Sequence, residues 1–213
     1  MLGRAMTEGR LLPMFPLGLT LLPGMVLPLR LFEPRYLQMY ADIIDEDREF
    51  GVVLIERGVE SRDDNATYDV GCKAYVVGSG IHEDGTIALV AIGRNRLRVL
   101  EWQESDPYPL AMVEDLPDEP LTEEGMQYLE SAANRLPDLL AVASELNPEL
   151  EPEAPDLSED PVQAIYQLAQ LAGLQAFDLQ KVLEVGSTDD RAALVDELMS
   201  ETVEMIELQL RMS

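Results

Sequence analysis

Cys72 and His82 are the chain's single thiol and single imidazole, ten residues apart. A catalytic thiol needs a base to remove its proton and a third group to orient that base. No further histidine exists to supply the rest, and the residue types favour a core cysteine and a turn histidine. One cysteine and one histidine also make a poor transition-metal site, and a lone cysteine excludes an intramolecular disulfide. Only Lys73 and Lys181 are lysines. Lys73 sits in an expected strand and Lys181 in an expected helix, and no G-x-x-x-x-G-K-[ST] phosphate loop surrounds either one. The acidic runs Asp42-Asp45-Glu46-Asp47-Glu49 and Glu149 to Asp160 could attract calcium. They lack the glycine-turned spacing of an EF-hand loop and read as solvated charge. No cofactor and no metal is expected.

Arg94, Arg96 and Arg98 alternate with Leu97 and Val99, the period of a half-exposed strand, which places all three arginines on one face. Such a stripe could recognise an acidic peptide or RNA, or simply pair with carboxylates on neighbouring strands such as Glu101 or Asp69. The formal charge of −26 opposes phosphate backbones and anionic membranes. Nucleic acid and membrane are therefore disfavoured as partners. The acidity itself reads as a solubilising surface.

The elements that must position these residues change character near Leu116. The run from Leu11 to Leu29 is apolar enough to suggest a membrane span, but Pro13, Pro16, Pro23 and Pro28 fall inside it. Each would cost roughly 3 kcal/mol in a helix interior. The run must be extended and turned, with Pro23-Gly24 the turn between two strands. Arg4 and Arg10 imitate a signal peptide, but the prolines and the missing small-residue cleavage site argue against one, so a cytoplasmic protein is expected. Residues 51–55, 72–77, 87–92, 94–99 and 108–113 read as further strands, with Glu83-Asp84-Gly85-Thr86 a hairpin turn. Pro34 to Ile44 reads as the one helix of this half.

Beyond Pro117 the period becomes helical. Thr122 caps a helix to about Leu146 with a kink or break at Pro137. Residues 147–159 form an acidic, proline-rich loop. Asp160-Pro161 starts another helix that Gly173 ends. A short helix runs from Ala176 to Gly186. Ser187 or Thr188 caps the last helix, with Leu194, Val195, Leu198, Met199, Val203, Met205 and Ile206 as its apolar positions. The expected class is α+β: a β-barrel over 10–118 followed by an α-helical bundle over 119–213. From Glu119 onward there are 21 acids and four bases, against 20 acids and 11 bases before it.

Phe15-Pro16-Leu17, Leu22-Pro23-Gly24-Met25, Leu27-Pro28-Leu29 and Phe32-Glu33-Pro34-Arg35-Tyr36 together resemble the start of the substrate-binding N-terminal domain of Lon-type proteases. Gly71, Ala74, Gly85, Gly93 and the RLRVLEW segment are similar to the later strands of that family. DLQKVLEVGSTDDRAALVDELM is similar to its helices. The resemblance covers about residues 10 to 210. It implies a PUA-like (pseudouridine-synthase-and-archaeosine-transglycosylase-like) barrel before the bundle. It also implies a stand-alone Lon-domain protein, because the family's ATPase module and its Ser-Lys proteolytic module are not in this sequence.

The function it implies is non-enzymatic binding of unfolded or tagged polypeptides, or of a protease or chaperone partner, as in an adaptor for protein quality control. Exposed apolar surface suits that task because burial is non-directional, and methionine thioethers adapt to many shapes. Met14, Met25 and Met39, beside the proline-rich entry, are candidates for the binding surface, together with Phe32, Arg35 and Tyr36. Arg35 and Tyr36 also have a structural reading: Pro34 starts the helix, Glu33 sits near its N-terminus, Tyr36 packs inward and Arg35 pairs with a carboxylate. Two alternatives stay open: RNA binding through the Arg94, Arg96 and Arg98 stripe, and a small-molecule pocket between barrel and bundle. The sequence leaves the oligomeric state undetermined.

Overall fold

The computed structural model describes residues 9–56, 66–147 and 154–212. Its elements in chain order are β1 (Arg10–Leu17), β2 (Val26–Leu31), α1 (Pro34–Ile43), β3 (Glu49–Leu54), β4 (Val70–Ile81), β5 (Ile87–Gln103) and β6 (Leu110–Leu116), then α2 (Glu123–Leu146), α3 (Pro161–Leu171), α4 (Ala176–Glu184) and α5 (Thr188–Met212). The α+β class follows directly. The chain divides into two compact units, Met1–Pro117 and Asp118–Ser213. Among the described residues no helix is long and apolar enough to cross a membrane.

In the first unit the strands run β2-β5-β4-β3-β1-β6, and β6 pairs with β5 as well. That extra pairing closes β5, β4, β3, β1 and β6 into a ring, a small barrel with β2 attached to the first half of β5. All pairs are antiparallel except β1 with β3. Pro23-Gly24 does turn the chain between two strands, with Gly24 at φ +80°. Those strands do not form a hairpin: β1 pairs with β3 and β6, and β2 with β5. Pro28 stands in β2, whose one pairing leaves its other edge open, a place where a missing N–H is tolerated.

β3 is buried on both faces, which is why its sequence reads as a continuous apolar run. One side of the sheet buries Leu12, Met14, Val53 and Leu97. The other buries Phe15, Phe50, Val52 and Cys72 with Tyr36, Met39 and Ile43 from the inner face of α1. The segments 87–92 and 94–99, two strands by their sequence, are one strand of 17 residues. Gly71 and Gly93 lie where other backbone crosses: a Cβ at Gly71 would meet the carbonyl of Val52, and one at Gly93 the carbonyl of Leu22.

The second unit follows the capping signals. Thr122 Oγ1 accepts from the Gly125 N–H at the start of α2, and Asp160 accepts from Val162 at the start of α3. Ser187, not Thr188, caps α5, accepting from the Asp190 N–H at 3.3 Å. Pro137 lies inside α2 without ending it. The buried row Leu129, Ala132, Leu136, Leu139 and Leu140 runs past the proline, and packing outweighs the lost hydrogen bond. Of the loop expected at 147–159, residues 148–153 lie outside the described residues. The apolar stripe of α5 is buried only to Met199; Met205 is exposed, so its core-like spacing is misleading.

At the centre of this unit sits Arg191, with no exposed surface. Its Nε donates to the Val182 carbonyl at 3.0 Å, Nη2 to the Val185 carbonyl at 2.7 Å, and Nη1 to Asp118 at 2.9 Å. Tyr166 places its ring 5.2 Å from the guanidinium and donates its hydroxyl to the same Asp118. One carboxylate thus joins the segment before α2 to α3 and α5. Removing one partner of a buried pair leaves an uncompensated charge.

Two stability predictions follow from this packing. Gly93→Ala will lower stability by about 2 kcal/mol or more, while Gly78→Ala, where a Cβ meets nothing, will stay within about 1 kcal/mol. Asp118→Ala will cost about 3 kcal/mol, and the additional change Arg191→Met will recover part of it. Urea melts of the purified variants measure both.

Candidate functional site

A cleft of about 950 Å³ opens in the N-terminal unit. Four stretches distant in sequence form it: Phe15 to Gly18 at the end of β1, Glu33 to Tyr36 at the start of α1, Ile55 with Ala66 and Thr67 after β3, and Trp102 to Pro109 where β5 turns into β6. At its base Phe15 and Tyr36 stack, with ring centroids 3.9 Å apart and planes at 17°. Phe50 tilts against Phe15 from behind at 6.2 Å. Burial pushes the Tyr36 phenol above its ordinary value, with Arg35 pulling it down and Glu33 pushing it up.

Trp102, the chain's one tryptophan, lines the cleft and is 39 % exposed. The turn beside it is fastened by its own atoms. Ser105 Oγ donates to the Tyr108 carbonyl at 2.9 Å and accepts from the Leu110 N–H at 3.1 Å. The Tyr108 hydroxyl donates to Asp42 on α1 at 2.8 Å, tying the turn to the helix. Desolvation first, and then the hydrogen bond to Asp42, push the Tyr108 phenol up to about 12.

The six residues expected at a binding surface divide sharply. Met14 and Met39 are fully buried, because β1 and α1 turn them into the core; they present no thioether to solvent. Met25 is half-buried against the same core. Tyr36 is a buried floor residue of the cleft. Arg35 lines the cleft and is held by Glu33 at 2.8 Å, with its guanidinium 4.6 Å from the Tyr36 ring. Glu33 therefore binds Arg35, and its side chain makes no hydrogen bond to the end of α1. Phe32, one residue before Glu33, is 67 % exposed.

Arg94, Arg96 and Arg98 do not form one stripe. Cys72 pairs with Arg96 but Ala74 with Gly93, so Arg94 and Asn95 together oppose Lys73. This bulge breaks the two-residue alternation. Arg94 lies over the Tyr75 ring at 4.3 Å, Arg96 is buried, and Arg98 pairs with Glu114 across the strand at 3.2 Å. Cys72 and His82 are not brought together either. Cys72 is buried near the start of β4 and His82 follows its end, ten residues further along and at most about 33 Å away at strand rise. Of the run at 42–49, Asp47 and Glu49 engage Arg10, and Asp42 accepts from Gln38 and Tyr108.

Trp102, Tyr108 and Phe15 were not marked as site residues by their spacing. One signal was present: a lone tryptophan ending the RLRVLEW strand, with Pro107 and Pro109 shortly after it.

The family model for the ATP-dependent protease La (LON) substrate-binding domain matches residues 11–201. A Lon protease of Anaeromyxobacter dehalogenans is 31 % identical over 207 residues, covering 92 % of this chain and 24 % of that protein. The chain thus spans about a quarter of the length of the curated Lon relatives it matches. Among solved structures, a Lon N-terminal domain protein from Xanthomonas campestris superposes with a TM-score of 0.59 at 26 % identity, covering 85 % of this chain and 94 % of that one. The N-terminal domain of a Mycobacterium avium complex Lon protease superposes with a TM-score of 0.63 at 18 % identity, covering 90 % and 99 %, a likeness of fold.

The Tyr108 tie has a pH signature. Its folded value lies above the ordinary 10.0, so its contribution is complete below pH 10 and is lost as pH rises from 10 through about 12. The melting-temperature difference between wild type and Tyr108→Phe will be constant from about pH 7 to 9 and shrink above 10. The variant will also lose one late-titrating phenolate from its ultraviolet spectrum.

Proposed function

The chain belongs to the ATP-dependent protease La (LON) substrate-binding domain family, and on that premise we propose that its cleft receives extended segments of unfolded or tagged polypeptides. The observation that carries this reading is the cleft itself: an exposed Trp102 at its side, over a base of the stacked and largely buried Phe15 and Tyr36. Rigid aromatics offer large contact area with little entropy lost on binding. Arg35 belongs to the cleft lining, and the exposed Phe32 extends the proposed surface beyond it.

The proposed role is binding without chemistry, as an adaptor or receptor in cytoplasmic protein quality control. The residues that could have reacted support it by their engagements. Cys72 is buried away from His82, Lys73 is bound to Asp115 at 3.0 Å, and Lys181 to Asp178 at 2.8 Å. The alternative of RNA binding loses its motive, since the arginines that prompted it are buried, paired or stacked.

The test is binding of the purified chain to a permanently unfolded, fluorescently labelled polypeptide, with the folded form of the same polypeptide as control. The unfolded form will bind preferentially, and Trp102→Ala will weaken it about tenfold, the loss expected for truncating a central aromatic anchor. Equal binding to both forms, or an undiminished affinity in a Trp102→Ala protein of unchanged melting temperature, overturns the reading.

A further inference from the structure

We infer that the cleft selects segments in which an apolar or aromatic side chain is flanked by lysine or arginine, an inference that rests on the cleft's being a polypeptide site. Three charged side chains line the described cleft: Glu33, Arg35 and Glu104. Arg35 and Glu33 hold one another at 2.8 Å, and the guanidinium also lies over the Tyr36 ring, so this pair is internally compensated. Glu104 is exposed, makes no ion pair among the described residues, and stands two residues beyond Trp102. Among the described residues the cleft therefore offers one uncompensated negative charge beside one open indole.

Pro16, Pro107 and Pro109 contribute walls without N–H groups. The hydroxyls of Ser105 and Tyr108 already donate, to the Tyr108 carbonyl and to Asp42. Thr67, Gln103 and Trp102 still offer donors, so discrimination against a carboxylate comes from its repulsion by Glu104 inside a chain of net charge −26. A lysine or arginine can lie on the Trp102 face and pair with Glu104, while the neighbouring apolar side chain fills the space above Phe15 and Tyr36. The indole N–H of Trp102, without a partner among the described residues, can donate to a carbonyl of the bound backbone.

The sole tryptophan makes the test direct, because its fluorescence reports on the cleft alone. Three unstructured peptides of roughly twelve residues are titrated at about 50 mM and 300 mM salt. Each carries a central Leu-Phe pair flanked by arginine, by its neutral isostere citrulline, or by glutamate. The arginine peptide will bind about fivefold or more tightly than the citrulline peptide at low salt, with the ratio narrowing at high salt, and the glutamate peptide will bind least. Glu104→Gln will bring the ratio of arginine to citrulline affinity towards one, chiefly by weakening the arginine peptide. Glu204→Gln, on α5, will leave the ratio as in wild type.

A ratio unmoved by Glu104→Gln, or reduced equally by Glu204→Gln, overturns the inference. In those two cases the citrulline peptide still binds, and the cleft keeps its proposed function. If no peptide changes Trp102 emission in a protein of normal melting temperature, the polypeptide reading of the cleft falls, and this inference with it.

Discussion

The 17 residues of β5 hydrogen-bond to three other strands, and every strand of the N-terminal unit is placed by β5 or by a strand that pairs with it. A strand so long can serve β2 at its start and β6 at its end only if the sheet bends. Three register shifts supply the bend, each with one extra residue that has no partner opposite. The first falls on β5 between Gly93 and Arg96. The second is Val77 on β4, and the third Leu100 on β5. The last two explain why those aliphatic side chains are 48 % and 51 % exposed without being binding residues. Beyond the third shift, β5 runs to its end at Trp102 and Gln103, which line the cleft together with Glu104 just past the strand.

How far the sequence reveals this structure depends on whether the signal is local. Proline exclusion, cap residues and the change of period near Leu116 act within a few residues, and the elements they announce are present. The parallel pairing of β1 with β3 is carried by no turn, and nothing near Met14 declares that it will lie beside Gly51. Bulges are similarly silent. They arise from closure of the ring, so a strand pattern that alternates correctly on paper puts Arg96 in the core and Arg94 outside. In α5 the periodic signal is real, but the stripe is buried only as far as Met199.

The site was less legible than the fold for the same reason. Its walls come from residues 15–18, 33–36, 55 with 66–67, and 102–109, stretches that adjoin only after β1, α1, the end of β3 and the β5–β6 turn have been positioned. Position beside the proline-rich entry therefore points to Met14 and Met39 as surface methionines, and that same positioning buries them. Arg35 and Tyr36 survive as cleft residues because they start a helix whose inner face must meet β1. Trp102 could have been suspected from its rarity, but its exposure follows from where β5 ends.

The acidity of the chain and the openness of the cleft are two sides of one requirement. An aromatic-walled cleft that stays accessible is an invitation to self-association, since apolar burial does not distinguish a ligand from another copy of the chain. A net charge of −26 makes copies repel at the distances where they would first meet, while an apolar contact, once made, is little affected by it. Within the cleft the charge is low: Glu33 and Arg35 compensate each other, leaving Glu104. Repulsion thus acts at long range on the protein's own kind and on other acidic chains. On the proposed function, attraction acts at short range on a segment that can cover Trp102 and the base of the cleft. A surface charge of one sign spread over a largely neutral aromatic site permits both, which a charged site on a neutral surface would not.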